Sequence, residues 1–467
     1  MKNFAKRNKR YNKFNLSFSF LILVFQVILF CSACNNKTNT PAIEDVSGEY
    51  YDWTKTMQPE QPGIHNYNKT LVTKIFLCSR DGEGNVEKVY LKFEDVLEEL
   101  RKLDNITLGI PKIVYLVGWQ YNGHDSKYPA WGEVNNHLKR DQDSTALESL
   151  KWLFREAKNY NTIISLHINM IDAYKDSPLW SEYLEKDIIA KDSIGIPIKG
   201  EVFNGMQSYQ ISYAREWNLG KAQKRIDGLI KMIPELKESG TIHIDAFHSM
   251  RPSGVGKPIS PYLGITMDEE ISAQRKIFRY WRLKGIDVTC EGGIYWLRKD
   301  PFIGLQAMSW HYDEANYIKD NWLNKPKNFS ILPFQFSGYT PMHCEGEIMS
   351  DSENLTGLLE QVCLKLVPWY YKRNIDVSKE SYIIITDDEV ICPVLWKDQA
   401  MVAYSKLADI EEKVKLPSTW VNVMEVQLYE LTLEGLKPKA ILKVINSIID
   451  LKIEKDQPLV IMPVGLR

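Results

Sequence analysis

The stretch TIHIDAFHSM, Thr241 to Met250, sets His243, Asp245 and His248 within six residues of one another. A carboxylate flanked by imidazoles supports three kinds of chemistry. It can ligate a metal ion, attack a substrate as a nucleophile, or close a hydrogen-bonded core network. The stretch opens as a buried strand does, so the question is which face of that strand carries the polar groups.

Residues two apart in a strand share a face. His243 and Asp245 therefore share one face of TIHIDAF, and Ile242 and Ile244 the other. In IISLHIN, Ser165, His167 and Asn169 lie opposite Ile164, Leu166 and Ile168. In IDVTCEG, Thr289 and Glu291 lie opposite Val288 and Cys290. In each the polar residues gather toward the C-terminal end, the end at which barrels of parallel strands assemble active sites. A polar core satisfied by internal hydrogen bonds would give the same pattern.

Asp245 and Glu291 are the carboxylates to pair. Glycoside hydrolysis needs two that flank the bond to be cut, one ionised and one holding a proton in surroundings that raise its pKa. Gly292 and Gly293 after Glu291 allow a ligand close to the backbone, and Cys290, Tyr295 and Trp296 offer apolar neighbours. The loop GWQYNGHDSKYPAWGE, Gly118 to Glu133, adds Trp119, His124, Asp125, Tyr128 and Trp131. Aromatic faces cover the C–H surfaces of sugars while amide, imidazole and carboxylate groups read their hydroxyls.

The metal reading adds His124, Asp125, His167 and His311 to His243, Asp245 and His248. In an extended strand His248 leaves the face of the other two, and no HExxH helix occurs, so no metal and no other cofactor is expected. GHDS is not followed by the GxSxG elbow of a serine hydrolase.

The elements that must position these residues alternate. From roughly residue 70 to 375, LVTKIFLC, PKIVYLVGW, TIISLHIN, TIHIDAF, GIDVTCEG, IGLQAMSW and FSILPFQF read as strands. FEDVLEELRKL, STALESLKWLFREAKNY and AQKRIDGLIKMIPELKESG have helical spacing, the last stopping at Gly240. The alternation predicts a (β/α)₈ barrel over residues 69–378. The short β-rich runs of 379–467 predict a C-terminal antiparallel β-sandwich. Residues 34–68 read as a tether and N-terminal extension.

The chain has 467 residues, 44% of them hydrophobic, with a formal charge of −2. Residues 1–33 combine a basic start, the apolar run LSFSFLILVFQVILF and small residues before Cys34, the plan of a secretory signal. Without its six Lys/Arg the charge moves from −2 to −8, which disfavours nucleic acid as a partner. The segment resembles a bacterial lipoprotein signal, although Cys31 stands where that pattern usually has Leu. That resemblance implies lipidation at Cys34 and membrane attachment. Asn35 rather than Asp after it implies the outer membrane, on its periplasmic or cell-surface face. A retained membrane span is the alternative. Cys78, Cys290, Cys344, Cys363 and Cys392 are scattered and odd in number, which is no disulfide framework.

VYLVGWQYNGHDSKYP, SLHIN, IHIDAF and VTCEGG resemble, in order and spacing, the barrel of endo-α-N-acetylgalactosaminidases, glycoside hydrolase family 101, and the related family 129 α-N-acetylgalactosaminidases. The resemblance spans roughly residues 110–310, and GWQxxGHDS is its most specific piece. It implies a retaining enzyme that releases α-linked N-acetylgalactosamine, or a disaccharide built on it, from Ser/Thr of mucin-type glycoproteins. It implies Asp245 as nucleophile and Glu291 as acid/base. His124, Asp125, Trp119, His167, Asn169, His243, His248 and Trp296 are the expected substrate contacts. The chain is shorter than is typical of family 101, so endo and exo action both stay open. So do another α-linked sugar such as galactose, a non-catalytic glycan-binding lipoprotein, and a metal hydrolase.

Overall fold

The strands and helices arise from the alternation of buried apolar and polar positions. In the computed structural model the described residues are 46–56, 58–67, 69–247, 259–291, 302, 304–306, 308–310, 341–350, 355–375 and 383–465. Cys34 and the signal-like segment, His248, Gly292, Gly293, Tyr295, Trp296, His311 and the strand expected in FSILPFQF lie outside them. The chain divides into two compact units, Met1–Ser47 and Gly48–Arg467, and the second holds all the strands and helices named below.

Six strands form one parallel sheet in chain order: β1 Leu71–Phe76, β2 Lys112–Val117, β3 Thr162–Ile168, β4 Thr241–Ile244, β5 Asp287–Glu291 and β6 Met308–Trp310. Val114, Leu116, Ile164, Leu166, Ile242, Ile244 and Val288 form its apolar face, each no more than 2% exposed. The helices that cover such a face are α1 Phe93–Ile106, α2 Ala146–Glu156, α3 Lys221–Met232 and α4 Met267–Leu283, each with a buried apolar stripe. Burying each large aliphatic side chain contributes about 1.5–3 kcal/mol. Capping boxes start α2 (Thr145 with Glu148) and α4 (Thr266 with Glu269).

The opposite face is polar, as the period-two pattern predicts. Register sets Lys74 beside Tyr115 and Tyr115 beside Ser165. It sets His167 beside His243, and His243 beside Thr289. These groups satisfy one another: Tyr115 OH lies 2.6 Å from Thr241 Oγ1, Ser165 Oγ donates to Thr241 O at 2.6 Å, and His243 Nδ1 lies 2.9 Å from Thr289 Oγ1. At the N-terminal ends Asp287 accepts from Ile64 N (2.7 Å) and Tyr67 OH (2.9 Å) and pairs with Arg282, so residues 64–67 close that side.

The single helix expected over 222–240 is two, α3 and Glu235–Ser239, because Pro234 supplies no N–H to continue α3. Gly240, at φ +61°, ends the second. Between β3 and α3 lies a feature that the alternation does not reveal, a three-stranded antiparallel sheet of Asp172–Ala173, Met206–Gln210 and Lys199–Phe203. Its first residues leave the end of β3, beside the candidate site.

The C-terminal strands form a six-stranded antiparallel sheet from Ile384 to Pro463, with the ribbon Ile410–Lys415 and Ile448–Ile453 packed on it through Ile391, Met401, Val414, Leu451 and Ile453. This layer docks on the end of α1. Trp396 Nε1 donates to Thr107 O (2.8 Å), Asn105 Nδ2 donates to Leu433 O (2.7 Å), and Arg101 grips Glu434 through two nitrogens. Cys78, Cys290, Cys344, Cys363 and Cys392 are all buried, and none is in a disulfide among the described residues. Among the described residues no helix is long and apolar enough to cross a membrane.

One ion pair ties α3 to the loop after β2. Arg225 Nε and Nη2 donate to Glu216 at 2.8 and 3.1 Å, Tyr183 OH donates to Glu216 Oε1 at 2.7 Å, and Arg225 Nη1 donates to Pro129 O at 3.0 Å. Glu216 is fully buried. Removing one partner strands the other charge, so Glu216→Ala should cost about 3–5 kcal/mol in urea unfolding, whereas Lys413→Ala, at an exposed pair with Asp450, should cost under about 1 kcal/mol.

Candidate active site

The site lies where β2, β3 and β4 end. After β2 the chain folds back over Cys78, and two glycines permit the approach. A Cβ on Gly118 (φ +76°) would stand 2.3 Å from Cys78 O, and one on Gly123 (φ +120°) 2.7 Å from the same atom. His124 N then donates to Cys78 O at 2.8 Å. Asp125 takes a left-handed conformation (φ +57°), and buried Arg80 holds its carbonyl through Nε at 2.9 Å. Arg80 itself lies 4.8 Å over the Tyr174 ring. Farther along, Trp131 packs under Arg225, 4.2 Å from ring to guanidinium, so both halves of the loop are fastened.

His167 ends the polar face of β3. Its carbonyl accepts from Trp119 Nε1 at 2.9 Å, and its Nε2 stands 3.7 Å from Asp245 Oδ2. Asp245 follows β4, where its N–H donates to Ile168 O at 2.8 Å and Ala246 (φ +45°) turns the chain away. His124 Nδ1 stands 3.5 Å from Asp125 Oδ2. The rings of Phe76, His124, His167, His243 and Tyr115 form a column with successive centroids 5.4, 5.5, 5.3 and 5.1 Å apart. The side chains of His124 and Asp245 at the outer end are 24% and 19% exposed, that of His167 2%.

The expected site residues thus separate by depth. His124, Asp125, His167 and Asp245 come together. Trp119 and His243 are fully buried and stand behind His167, the first bonded to its carbonyl and the second stacked on its ring. Asn169 is 2% exposed and shapes the backbone. Its Oδ1 accepts from the N–H groups of Ile171 (2.7 Å) and Asp172 (2.9 Å), and its Nδ2 donates to Asp172 Oδ2 at 2.9 Å. The backbone of Glu291 closes β5 and pairs with Trp310. The pairing of β4 with β5 ends at Ile244–Cys290, one residue before Asp245 and Glu291. His248 and Trp296 lie outside the described residues.

Asp172 is a site residue that the strand pattern conceals, because counting by twos from Asn169 selects Ile171. The turn that Asn169 makes rotates Asp172 inward. Its carboxyl is pushed up to about 7 by burial, then by the charge of Asp125 and more weakly by that of Asp245. Burial, Asp125 and Asp245 likewise raise the Tyr128 phenol, and burial, Asp125 and Asp172 raise that of Tyr174. Three carboxylates therefore share one low-dielectric pocket. Asp125 Oδ1 is buried without a hydrogen-bond partner among the described residues. His124, His167 and Asp245 each offer a metal-ligating atom, all within 4.8 Å of one another.

Residues 86–281 match the family model described as endo-alpha-N-acetylgalactosaminidase. The match includes His124, Asp125, His167, Asn169, Asp172 and Asp245 and stops before Glu291. No curated protein matches the chain. Among solved structures it is similar to the ligand-free alpha-N-acetylgalactosaminidase of Bifidobacterium bifidum, at 12% identity and TM-score 0.41 over 64% of this chain and 44% of that one. It is similar to an Anoxybacillus alpha-amylase at 10% identity and TM-score 0.46, over 86% of this chain and 100% of that one. It is also similar to the Thermus thermophilus alpha-galactosidase at 13% identity and TM-score 0.35, over 57% and 47%. The chain spans less than half the length of the Bifidobacterium structure. The family match spans residues 86–281.

The raised Asp172 carboxyl gives the pocket a pH signature. A carboxyl whose folded pKa exceeds its unfolded value binds more protons in the native state, so its presence costs stability as pH rises from about 4 to 7. Asp172→Asn removes that loss. Relative to the parent chain, the variant should gain about 1–4 kcal/mol between pH 4 and 7, read from urea midpoints across that range. Glu270, also pushed up to about 7 by burial, is common to both proteins and cancels.

Proposed function

We propose that this chain, which carries a domain of the endo-α-N-acetylgalactosaminidase family in residues 86–281, is a retaining glycoside hydrolase acting on α-linked N-acetylgalactosamine of O-glycans. The observation that carries the reading is Asp245. It is a part-exposed carboxylate at the C-terminal end of a parallel strand, inside the matched domain and 3.7 Å from His167 Nε2. Beside it, buried Asp125 and part-exposed His124 suit hydroxyl recognition.

In the proposed reaction an Asp245 oxygen attacks the anomeric carbon as the bond to the Ser/Thr oxygen breaks. Glu291 gives its proton to that leaving oxygen. Water then attacks the glycosyl-enzyme ester, Glu291 takes its proton, and Asp245 is released. Asp245 and Glu291 follow adjacent parallel strands, and a retaining pair requires carboxyl groups roughly 5–5.5 Å apart. His167 contributes by holding Asp245 in line, and Asp125 by accepting from sugar hydroxyls.

The surrounding architecture is inferred to be a closed (β/α)₈ barrel. In support, Lys74 N on the outer edge of β1 donates to His343 O at 3.4 Å, and Tyr370 OH donates to Thr70 O at 2.7 Å, so the chain after β6 returns to the first strand. The signal-like segment before Cys34 supports an exported, lipid-anchored protein at the outer membrane.

Aryl α-glycosides and O-glycosylated mucin test this reading. N-acetylgalactosaminide should be cleaved in preference to galactoside, and the first product seen by proton NMR should be the α-anomer. Mono- or disaccharide from mucin distinguishes exo from endo action. Glu291→Gln should lower kcat about 10²–10⁴-fold. Asp245→Asn should melt normally and lose nearly all turnover. Near-normal turnover by that variant, or a β-anomer as first product, would end the proposal.

A further inference from the structure

The same strand ends present a second kind of chemistry. His124, His167 and Asp245 bring two imidazoles and a carboxylate within 4.8 Å of one another. This donor set suits zinc-class transition ions, which take imidazole nitrogen at about 2.0–2.1 Å and carboxylate oxygen at about 2.0–2.2 Å. Around a tetrahedral ion at those bond lengths, neighbouring ligand atoms stand about 3.3–3.5 Å apart. The His167 Nε2 to Asp245 Oδ2 separation of 3.7 Å is already near that value.

The rigidity of the three residues is graded in a way that allows closure. His167 is fixed by Trp119 on its carbonyl and by the rings of His124 and His243 on its two sides. His124 and Asp245 are the part-exposed members, and bringing the longest separation, up to 4.8 Å, to the tetrahedral value takes a shift of up to about 1.5 Å. Asp125 Oδ2, 3.5 Å from His124 Nδ1, is close enough to orient that imidazole. Asp125 adds negative charge beside the three residues, which favours a dication.

We propose that His124, His167 and Asp245 form a binding site for a divalent zinc-class ion, and that the bound ion occupies Asp245 and halts hydrolysis. Binding rests on the geometry alone. Inhibition rests on Asp245 being the nucleophile of the proposed function. The ion is then a reversible competitor of the sugar, because both require the same carboxylate oxygen.

The test titrates the untagged full chain with Co²⁺ and follows the visible d–d absorption that a tetrahedral site with nitrogen ligands produces. One equivalent should bind, and Zn²⁺ should bleach the band. His124→Ala and Asp245→Asn should each weaken binding at least about tenfold, with thermal melting showing that both remain folded. Zn²⁺ should inhibit aryl N-acetylgalactosaminide hydrolysis competitively, and a chelator should restore it. Absence of the band, or a band indifferent to His124→Ala, would overturn the site. A band lost in the variants together with hydrolysis untouched by saturating Zn²⁺ would keep the site and overturn the inhibition, and with it the role given to Asp245.

Discussion

In-register parallel pairing of β3, β4 and β5 is the constraint that creates the site. It sets His167, His243 and Thr289 side by side and turns the alternate isoleucines toward the helices. A one-residue slip in any of these strands would exchange the two faces, burying the isoleucines among polar groups and sending the imidazoles under α3 and α4. The hydrogen bonds among Tyr115, Thr241, His243 and Thr289 add a second penalty to such a slip, since each group would be left buried without a partner. Packing and chemistry thus select the same register. The polar face thus has two layers: Tyr115, Thr241, Ser165, His243 and Thr289 bond one another below, and the part-exposed His124 and Asp245 stand above.

Most of this frame is legible along the chain. The alternation in IISLHIN, TIHIDAF and IDVTCEG identifies the strands and which face is polar, because a period of two needs no tertiary information. The glycines of GWQYNGHDS mark where the backbone must pass close to something, although only the fold reveals that it is Cys78 O. The sheet of Asp172–Ala173, Lys199–Phe203 and Met206–Gln210 is not legible, since its strands are short and one of them, Lys199–Phe203, is largely exposed, and so carry little periodic signal. Asp172 stays hidden because the turn at Asn169 breaks the count by twos. The depth of Trp119 and His243 is hidden for a related reason: residue type signals sugar contact or core equally well, and only burial separates them.

The loop after β2 illustrates how precision is built into an irregular segment. Two missing Cβ atoms let it lie on the start of the 78–80 strand, Arg80 holds the carbonyl of Asp125 from beneath, and Arg225 fastens its far half to α3. Non-glycine residues at positive φ, Tyr121, Asp125 and Lys127, store strain that these anchors offset. A carboxylate held this way loses little freedom when a ligand arrives, which is the condition for tight recognition of hydroxyls.

The five buried thiols have a practical meaning. Cys78 lies beneath the site loop, Cys290 in the central sheet, and Cys392 in the C-terminal layer. With no cross-link among them, the described fold can form without an oxidant, and reducing agents take nothing from it. Each sulfur becomes reachable only when its own layer opens. Alkylation rates followed cysteine by cysteine therefore act as separate clocks for breathing of the loop, the sheet and the C-terminal layer.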